Sequence, residues 1–349
     1  DGLLARLRGL HGEQHRVAAR GQLLLPIALL LLLLPARARG GGLRLGLALR
    51  PLLLQHHRVR VEVIVAAARE VFERADEALG FSLSEMCFAG TEEDLAMTAN
   101  TQPAILTTSV AAFRAMKAEG FADPDLAAGH SLGEYSALVA AGVLDFADAV
   151  RTVRKRGTYM QDAVPVGVGA MAAILGADVD AVEAACREAA QGQVCSPANI
   201  NSPSQIVIAG DSDAVDRACE LLKERGAKRA IRLNVSAPFH CALMMPAQER
   251  LEQDLKSLEY GQFRFPIVHN IDAAVNSDET KVCDALTGQV SGSVKWLQSI
   301  RTLRENGVET MVEVGAGKVL SGLVRQIDRD VRCLNVENAE SLRNTKETL

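Results

Sequence analysis

The chain is poor in aromatic residues, 4% of 349 positions, and a surface built to stack nucleic-acid bases needs more of them. Its seven cysteines (87, 186, 195, 219, 241, 283 and 333) include no Cys-x-x-Cys pair and no Cys/His spacing suited to a metal. No metal site is expected, and an odd, scattered set reads as the reduced thiols of a cytoplasmic protein. Long apolar runs are also missing. The longest, LLLPIALLLLLL at 23–34, has twelve residues and contains Pro26, whereas a spanning helix needs about 20. Stable membrane insertion is therefore not expected. The first 60 residues contain no lysine and only two acids, Asp1 and Glu13, against ten arginines. That arm carries +8, which leaves −13 for the remainder of a chain whose total is −5. So acidic a body does not suit a nucleic-acid partner.

What is present is ordinary for a globular protein: 48% apolar and 23% charged residues, and a length that allows one large domain or two smaller ones. The arm at 1–64 stands apart. A third of residues 1–60 are Leu, and the chain does not begin with Met. The short apolar run followed by PARARG suits an export signal. The Arg-rich, acid-poor composition suits an organelle transit peptide. A stretch that is not native coding sequence, such as an out-of-frame translation of GC-rich DNA, fits it better than either.

From about residue 65 the pattern becomes regular. AAAREVFERADEALG (66–80) has helical periodicity and a Gly stop. TQPAILTTSVAAFRAMKAEG (101–120) reads as a buried helix with Pro103 in its first turn. PDLAAGH (124–130) suits a buried parallel strand, EYSALVAAG (134–142) a helix, and FPIVHNID (265–272) and MVEVG (311–315) two further strands. Strand, turn and helix in that order predict an α/β sheet. Between them, residues 169–235 run β-α-β-β-α-β, the ferredoxin-like order. The expected architecture is thus a hydrolase-like, parallel-sheet α/β core over 65–165 and 237–335. A ferredoxin-like subdomain is inserted at 166–236, and a tail occupies 336–349.

Gly129-His130-Ser131-Leu132-Gly133 is a G-x-S-x-G turn between an apolar strand and a helix. A nucleophilic serine needs such a sharp turn, and the N–H groups of the helix that follows point back at it, where they can stabilise an oxyanion. The alternative is a tight structural turn with an inert serine. A serine needs a base. His11, His15, His56 and His57 lie in the arm, and His130 points elsewhere on a sharp turn. His240 lies in a loop and His269 inside a strand-like run, so His240 is the better candidate; a plain surface or core histidine remains the alternative. Glu134 suits a capping or bracing role at the turn.

Five segments in order, AGHSLGEYSALVAAG (128–142), VRKRGTYMQDAVP (153–165), NINSPSQIVIAG (199–210), SAPFH (236–240) and VEVGAGKVLSGL (312–323), resemble the malonyl-CoA:acyl carrier protein transacylases from about residue 66 to 335. The resemblance implies a ping-pong [acyl-carrier-protein] S-malonyltransferase of fatty acid biosynthesis. It implies Ser131 as the acylated nucleophile and His240 as its base. Arg156 of the RG pair would bind the free malonyl carboxylate, and Gln289 marks the position whose backbone orients the histidine. Leu132 and Phe239 are implied in substrate binding, Phe239 by narrowing the acyl pocket. The partners implied are malonyl-CoA and acyl carrier protein, with the coenzyme A thioester as substrate and no cofactor. The family also opens with a strand and a GQGSQ-type loop that completes the oxyanion hole. No such motif stands upstream of residue 66; the GQ at 21–22 is followed by LLLP.

The residues alone leave other readings. A serine hydrolase or thioesterase shares the elbow, but has no need of Arg156 and normally runs Ser, Asp, His. An impaired homologue would follow from an incomplete oxyanion hole. A standalone transferase is expected over an acyltransferase domain of a polyketide synthase, because no neighbouring synthase domain accompanies it.

Overall fold

The computed structural model describes residues 49–349 except Ser236, with side chains from residue 61 onward. The readings of residues 1–48 lie outside the described residues. Helix α1 (Leu49–Leu79) is 31 residues long, so it crosses the boundary expected at 64/65 and begins well before the predicted 66. Gly80, in the left-handed region, ends it. Two short helices follow, α2 (Leu83–Ala89), capped by Ser82, and α3 (Glu92–Ala96), capped by Thr91.

Helix α4 (Thr98–Ala118) starts three residues earlier than predicted, so Pro103 lies in its second turn and not its first. Proline removes one backbone donor there. The carbonyl left over, Ala99 O, accepts a hydrogen bond from Arg154 Nη1 at 3.0 Å. A long-range side chain thus repairs the defect, which periodicity alone could not reveal.

The rest is a mixed α/β structure. After β1 (Ala127–Ala128) come α5 (Leu132–Ala141) and α6 (Phe146–Asp162). Then β2 (Gly169–Leu175), α7 (Val179–Ala190), β3 (Cys195–Ser202), β4 (Gln205–Asp211), α8 (Ser212–Glu224) and β5 (Arg229–Arg232) follow in the predicted sequence. Their four strands form one sheet in the order β3-β4-β2-β5, with β2 antiparallel to both neighbours and β3 antiparallel to β4. Alternation along β2 sends Ala170, Ala172 and Ile174 into a core with α7 and α8. Met171 and Ala173 go to the opposite face, against Cys241 and the loop that carries His240. The sheet is therefore covered on both sides.

The remaining elements are α9 (Met245–Lys256), β6 (Ile267–Val268), β7 (Val275–Asn276), α10 (Val282–Ser291), α11 (Trp296–Glu305), β8 (Thr310–Val314), α12 (Val319–Ile327), β9 (Arg332–Val336) and α13 (Ala339–Thr348). Here the expectation of one parallel sheet is corrected. Among the described residues the core holds two separate pieces: β1 parallel to β6, with β7 antiparallel beyond it, and β8 parallel to β9. The predicted strands at 124–130 and 265–272 shrink to two residues each. β1 and β8 each keep one edge with no described partner, and β1, bonded on one side only, pairs over just two residues with β6, which in turn pairs over two with β7.

Both edges line one cavity of about 2530 Å3, with α4, α11 and α12 contributing Phe113, Ile300 and Leu323 to its walls. That exceeds the usual 300–1,000 Å3 of a small-molecule pocket. The volume runs from the gap between the two sheet pieces down to Ser131.

Candidate active site

The elbow is built from β1, a tight turn and the first turn of α5. Ser131 has φ 50° and ψ −107°, a strained conformation for a residue with a side chain. A Cβ on Gly129 would sit 1.9 Å from the Gly133 carbonyl carbon, so only glycine allows the helix to start this close to the strand. Gly133 itself faces open space, which makes Gly129 the sterically required member of the pair. Asn270, just after β6, clamps the turn from both sides. Its Oδ1 accepts from Ser131 N at 2.6 Å and its Nδ2 donates to Gly129 O at 2.7 Å. The Ser131 N–H is thereby engaged, and the Gly133 and Glu134 N–H groups donate to His130 O at 2.9 Å and Ser131 O at 3.1 Å, which leaves the Leu132 N–H at the helix start as the donor open to an oxyanion.

Ser131 Oγ lies 2.8 Å from His240 Nε2. His240 Nδ1 is 2.8 Å from the backbone carbonyl of Gln289. A carbonyl can only accept, so Nδ1 carries the proton and Nε2 is left as the acceptor for the serine hydroxyl. Burial, with the Arg156 cation next in effect, pushes the His240 imidazole down to about 3. It is neutral at physiological pH, the state a general base requires. His240 also has φ 59°, so both members of the pair occupy the left-handed region.

Arg156, on α6, is 2% exposed. It reaches the serine because Gly157 lets α6 approach the start of α4: a Cβ at 157 would meet Thr98 O at 2.5 Å. The guanidinium donates through Nη1 to Gln102 Oε1 at 2.7 Å. Through Nη2 it donates to Gln289 Oε1 and to Ser131 Oγ, both at 3.1 Å. Its Nε has no well-formed hydrogen bond among the described residues, although Tyr135 packs beside it with the ring centre 5.7 Å away. Burial lowers its affinity for the proton, yet a guanidinium stays charged in proteins. Among the described residues no carboxylate forms an ion pair with it. A buried cation without a partnered anion is costly, so the site is prepared for an anionic ligand.

The structure thus brings Ser131, His240, Arg156 and Gln289 together. Leu132 is buried behind the serine and lines the cavity. Phe239 is half-buried; it lines the cavity but also packs into the cores on either side. His130 turns away, as expected, and its Nε2 meets Asn201 Oδ1 at 2.8 Å. His269 stands 2.6 Å from Glu134, not from the serine. Gln102 and Asn270 escaped the sequence reading. Their signal was faint: one amide among several polar residues in the first turns of a helix, another at the end of an apolar strand. No group of three or more potential metal ligands exists among the described residues, and none of their helices is long and apolar enough to cross a membrane.

Residues 53–344 match the family described as "Acyl transferase domain". The chain belongs to that family. The acyl transferase is 50% identical over 258 residues to the malonyl CoA-acyl carrier protein transacylase of Escherichia coli K12, covering 74% of this chain and 84% of the relative. It superposes with TM-score 0.80 and 43% identity on the solved malonyl CoA-acyl carrier protein transacylase of Coxiella burnetii, over 81% of this chain and 90% of that one. It gives the same TM-score, with 44% identity, against a malonyl-transacylase solved in complex with its type II PKS acyl-carrier protein, over 81% and 92% of the two chains.

Proposed function

We propose that this acyl transferase moves a malonyl group from malonyl-CoA to the phosphopantetheine thiol of acyl carrier protein, in cytoplasmic fatty acid biosynthesis. The observation that carries the reading is the buried Arg156 cation, in direct contact with no carboxylate among the described residues, 3.1 Å from the serine oxygen. Malonyl differs from acetyl by a carboxylate, and a guanidinium holds a carboxylate through two parallel hydrogen bonds. A simple thioesterase has no use for such a cation at its nucleophile.

The steps follow from the tautomer. Ser131 Oγ attacks the thioester carbonyl while its proton passes to His240 Nε2. The tetrahedral intermediate collapses, the C–S bond breaks, and coenzyme A leaves with the proton from His240. The carrier thiol then gives its proton to the same nitrogen and attacks the Ser131 ester, and the serine recovers the proton as the C–O bond breaks. The Gln289 carbonyl holds the imidazolium that forms in each half. Leu132, at the helix start, would supply one oxyanion donor, and Phe239 would bound the acyl chain. The thioester arrives already activated, so the reaction draws on no cofactor; coenzyme A enters and leaves as part of a substrate.

The finer architecture belongs to the same reading. A hydrolase-like core over 65–165 and 237–335 carries a ferredoxin-like insert at 166–236 and a tail at 336–349. The strand order β3-β4-β2-β5 with two helices on one face supports the insert.

Mass spectrometry after incubation with malonyl-CoA tests the proposal. One malonyl group on Ser131 is expected, absent from Ser131→Ala. Arg156→Ala should lose malonyl transfer by about 2–5 kcal/mol while keeping acetyl transfer. An adduct on another residue refutes the nucleophile, and equal loss for both substrates refutes the role of Arg156.

A further inference from the structure

Glu134 is fully buried in the first turn of α5, three residues after the serine. Only donors surround its carboxylate. Oε1 takes His269 Nδ1 at 2.6 Å; Oε2 takes Asn270 N at 3.0 Å and Gln289 Nε2 at 2.8 Å. The tautomer of His269 is fixed from its far side. Asn276 donates through Nδ2 to His269 Nε2 at 2.9 Å. That amide cannot be turned over, because its Nδ2 also donates to Asp278 O while its Oδ1 accepts from Asp278 N. Nε2 of His269 is therefore an acceptor, Nδ1 carries the hydrogen, and the ring is a neutral donor to Glu134.

The remaining contact links two buried charges. The Gln289 side chain points its N–H at Glu134 and its carbonyl at Arg156 Nη2. The same nitrogen also donates to Ser131 O at 3.0 Å. Rotating this amide by half a turn would set its carbonyl against a carboxylate and its N–H against a guanidinium. Both ends forbid it, and a charged partner makes each bond stronger than a neutral one.

We infer that Glu134 is a positioning residue for substrate selection: through the Gln289 amide it orients the Arg156 guanidinium that receives the acyl carboxylate. This deepens the proposed malonyl transfer and rests on it. The base is held by the Gln289 backbone and not by its side chain, whereas Glu134 also reaches the elbow through Asn270, whose side chain clamps Ser131 N, so the preference between two acyl groups is the readout and not either rate alone. Loss of Glu134 should therefore weaken recognition of a carboxylate-bearing acyl group more than acyl transfer as such.

The experiment measures acylation of Ser131 by malonyl-CoA and by acetyl-CoA, by intact-protein mass, in the full chain and in E134Q, Q289A and the double variant. E134Q should lower the malonyl-to-acetyl preference about tenfold to a hundredfold, the range open to a hydrogen bond with a charged group. The malonyl loss should appear mainly in KM for malonyl-CoA and should exceed any loss in acetyl acylation. Q289A, which keeps the backbone carbonyl, should show the same selective loss, and the double variant should be no worse than either alone. A merely structural Glu134 would depress both substrates alike and multiply with Q289A, and that result overturns the inference. Should E134Q fail to fold, Q289A decides by itself: equal losses for the two acyl groups reject the relay. If the unaltered chain forms no malonyl-Ser131, it is the proposed function that fails.

Discussion

Two sheets in this molecule meet opposite fates. In the four-stranded sheet of β2 to β5, three strands have seven or eight residues with buried centres and only the edge strand β5 is short and exposed, and its ladder closes within about 65 residues of sequence. The core sheet carries the nucleophile, yet β1 and β6 are two residues each, and every residue of β8 is half-exposed despite Met311, Val312 and Val314. The first unit finds nearly all its partners among neighbours in sequence, the exception being a parallel bridge from Asn199 on its β3 edge to Val294. The second needs partners from distant segments, and among the described residues β1 and β8 each have one edge without a partner beside a common cavity. Local completeness and chemical function have been assigned to different sheets: Ser131, Arg156, Asn270, Gln289 and His240 lie outside the complete one.

The largest expected effect comes from filling that gap. Grafting a strand and a GQGSQ-type loop ahead of residue 66 would pair the free edges of β1 and β8 and add an oxyanion donor. A single donor is worth about 10²–10³ in rate, so turnover of malonyl-CoA and melting temperature should both rise. If the unaltered chain already matches the graft, the gap is filled by a segment outside the described residues and the contrast between the sheets dissolves.

A matched pair of truncations sharpens the contrast. Ile208→Ala, at a fully buried position of β4, should cost about 2–5 kcal/mol of stability by urea unfolding and leave the malonyl-to-acetyl preference unchanged. Met311→Ala in β8 should cost less than about 1 kcal/mol, because its side chain is already half-exposed beside the cavity. Equal costs would show that the two sheets are equally well packed.

The last effect is spread over a pH range and reads as a slope. The His240 imidazole is held at about 3 in the folded chain against its ordinary 6.5. Between those values the unfolded chain binds a proton there and the folded chain does not. Stability should therefore fall as pH drops below 6.5, by up to about 1.4 kcal/mol per pH unit from this group. His240→Gln should lose that part of the acid sensitivity. An unchanged slope would mean that the imidazole titrates normally and is not sealed in the core.

Much was legible beforehand, and particular residues show why. The elbow, the β-α-β-β-α-β run and the separation of His240 from His269 are local patterns, written by spacing within about a dozen residues. Helix α4 shows the limit. Its Pro103 looked like a first-turn residue, and only Arg154, some fifty positions away, allows it a turn further in. Gln102 and Asn270 were invisible for the same reason, since a single amide side chain carries no periodic signal of what it will face.

By itself, the sequence determined the order of the elements, the sharp turn that lifts Ser131 out of a strand, and the chemistry available to Ser131, His240 and Arg156. Only the tertiary structure decided which tautomer His240 holds, that Arg156 is buried with no carboxylate in direct contact among the described residues, and that Gln289 binds Glu134 with one end of its amide and Arg156 with the other. Those are properties of direction and desolvation. They depend on which atoms face one another after residues more than a hundred positions apart are packed together, and a linear pattern does not contain them.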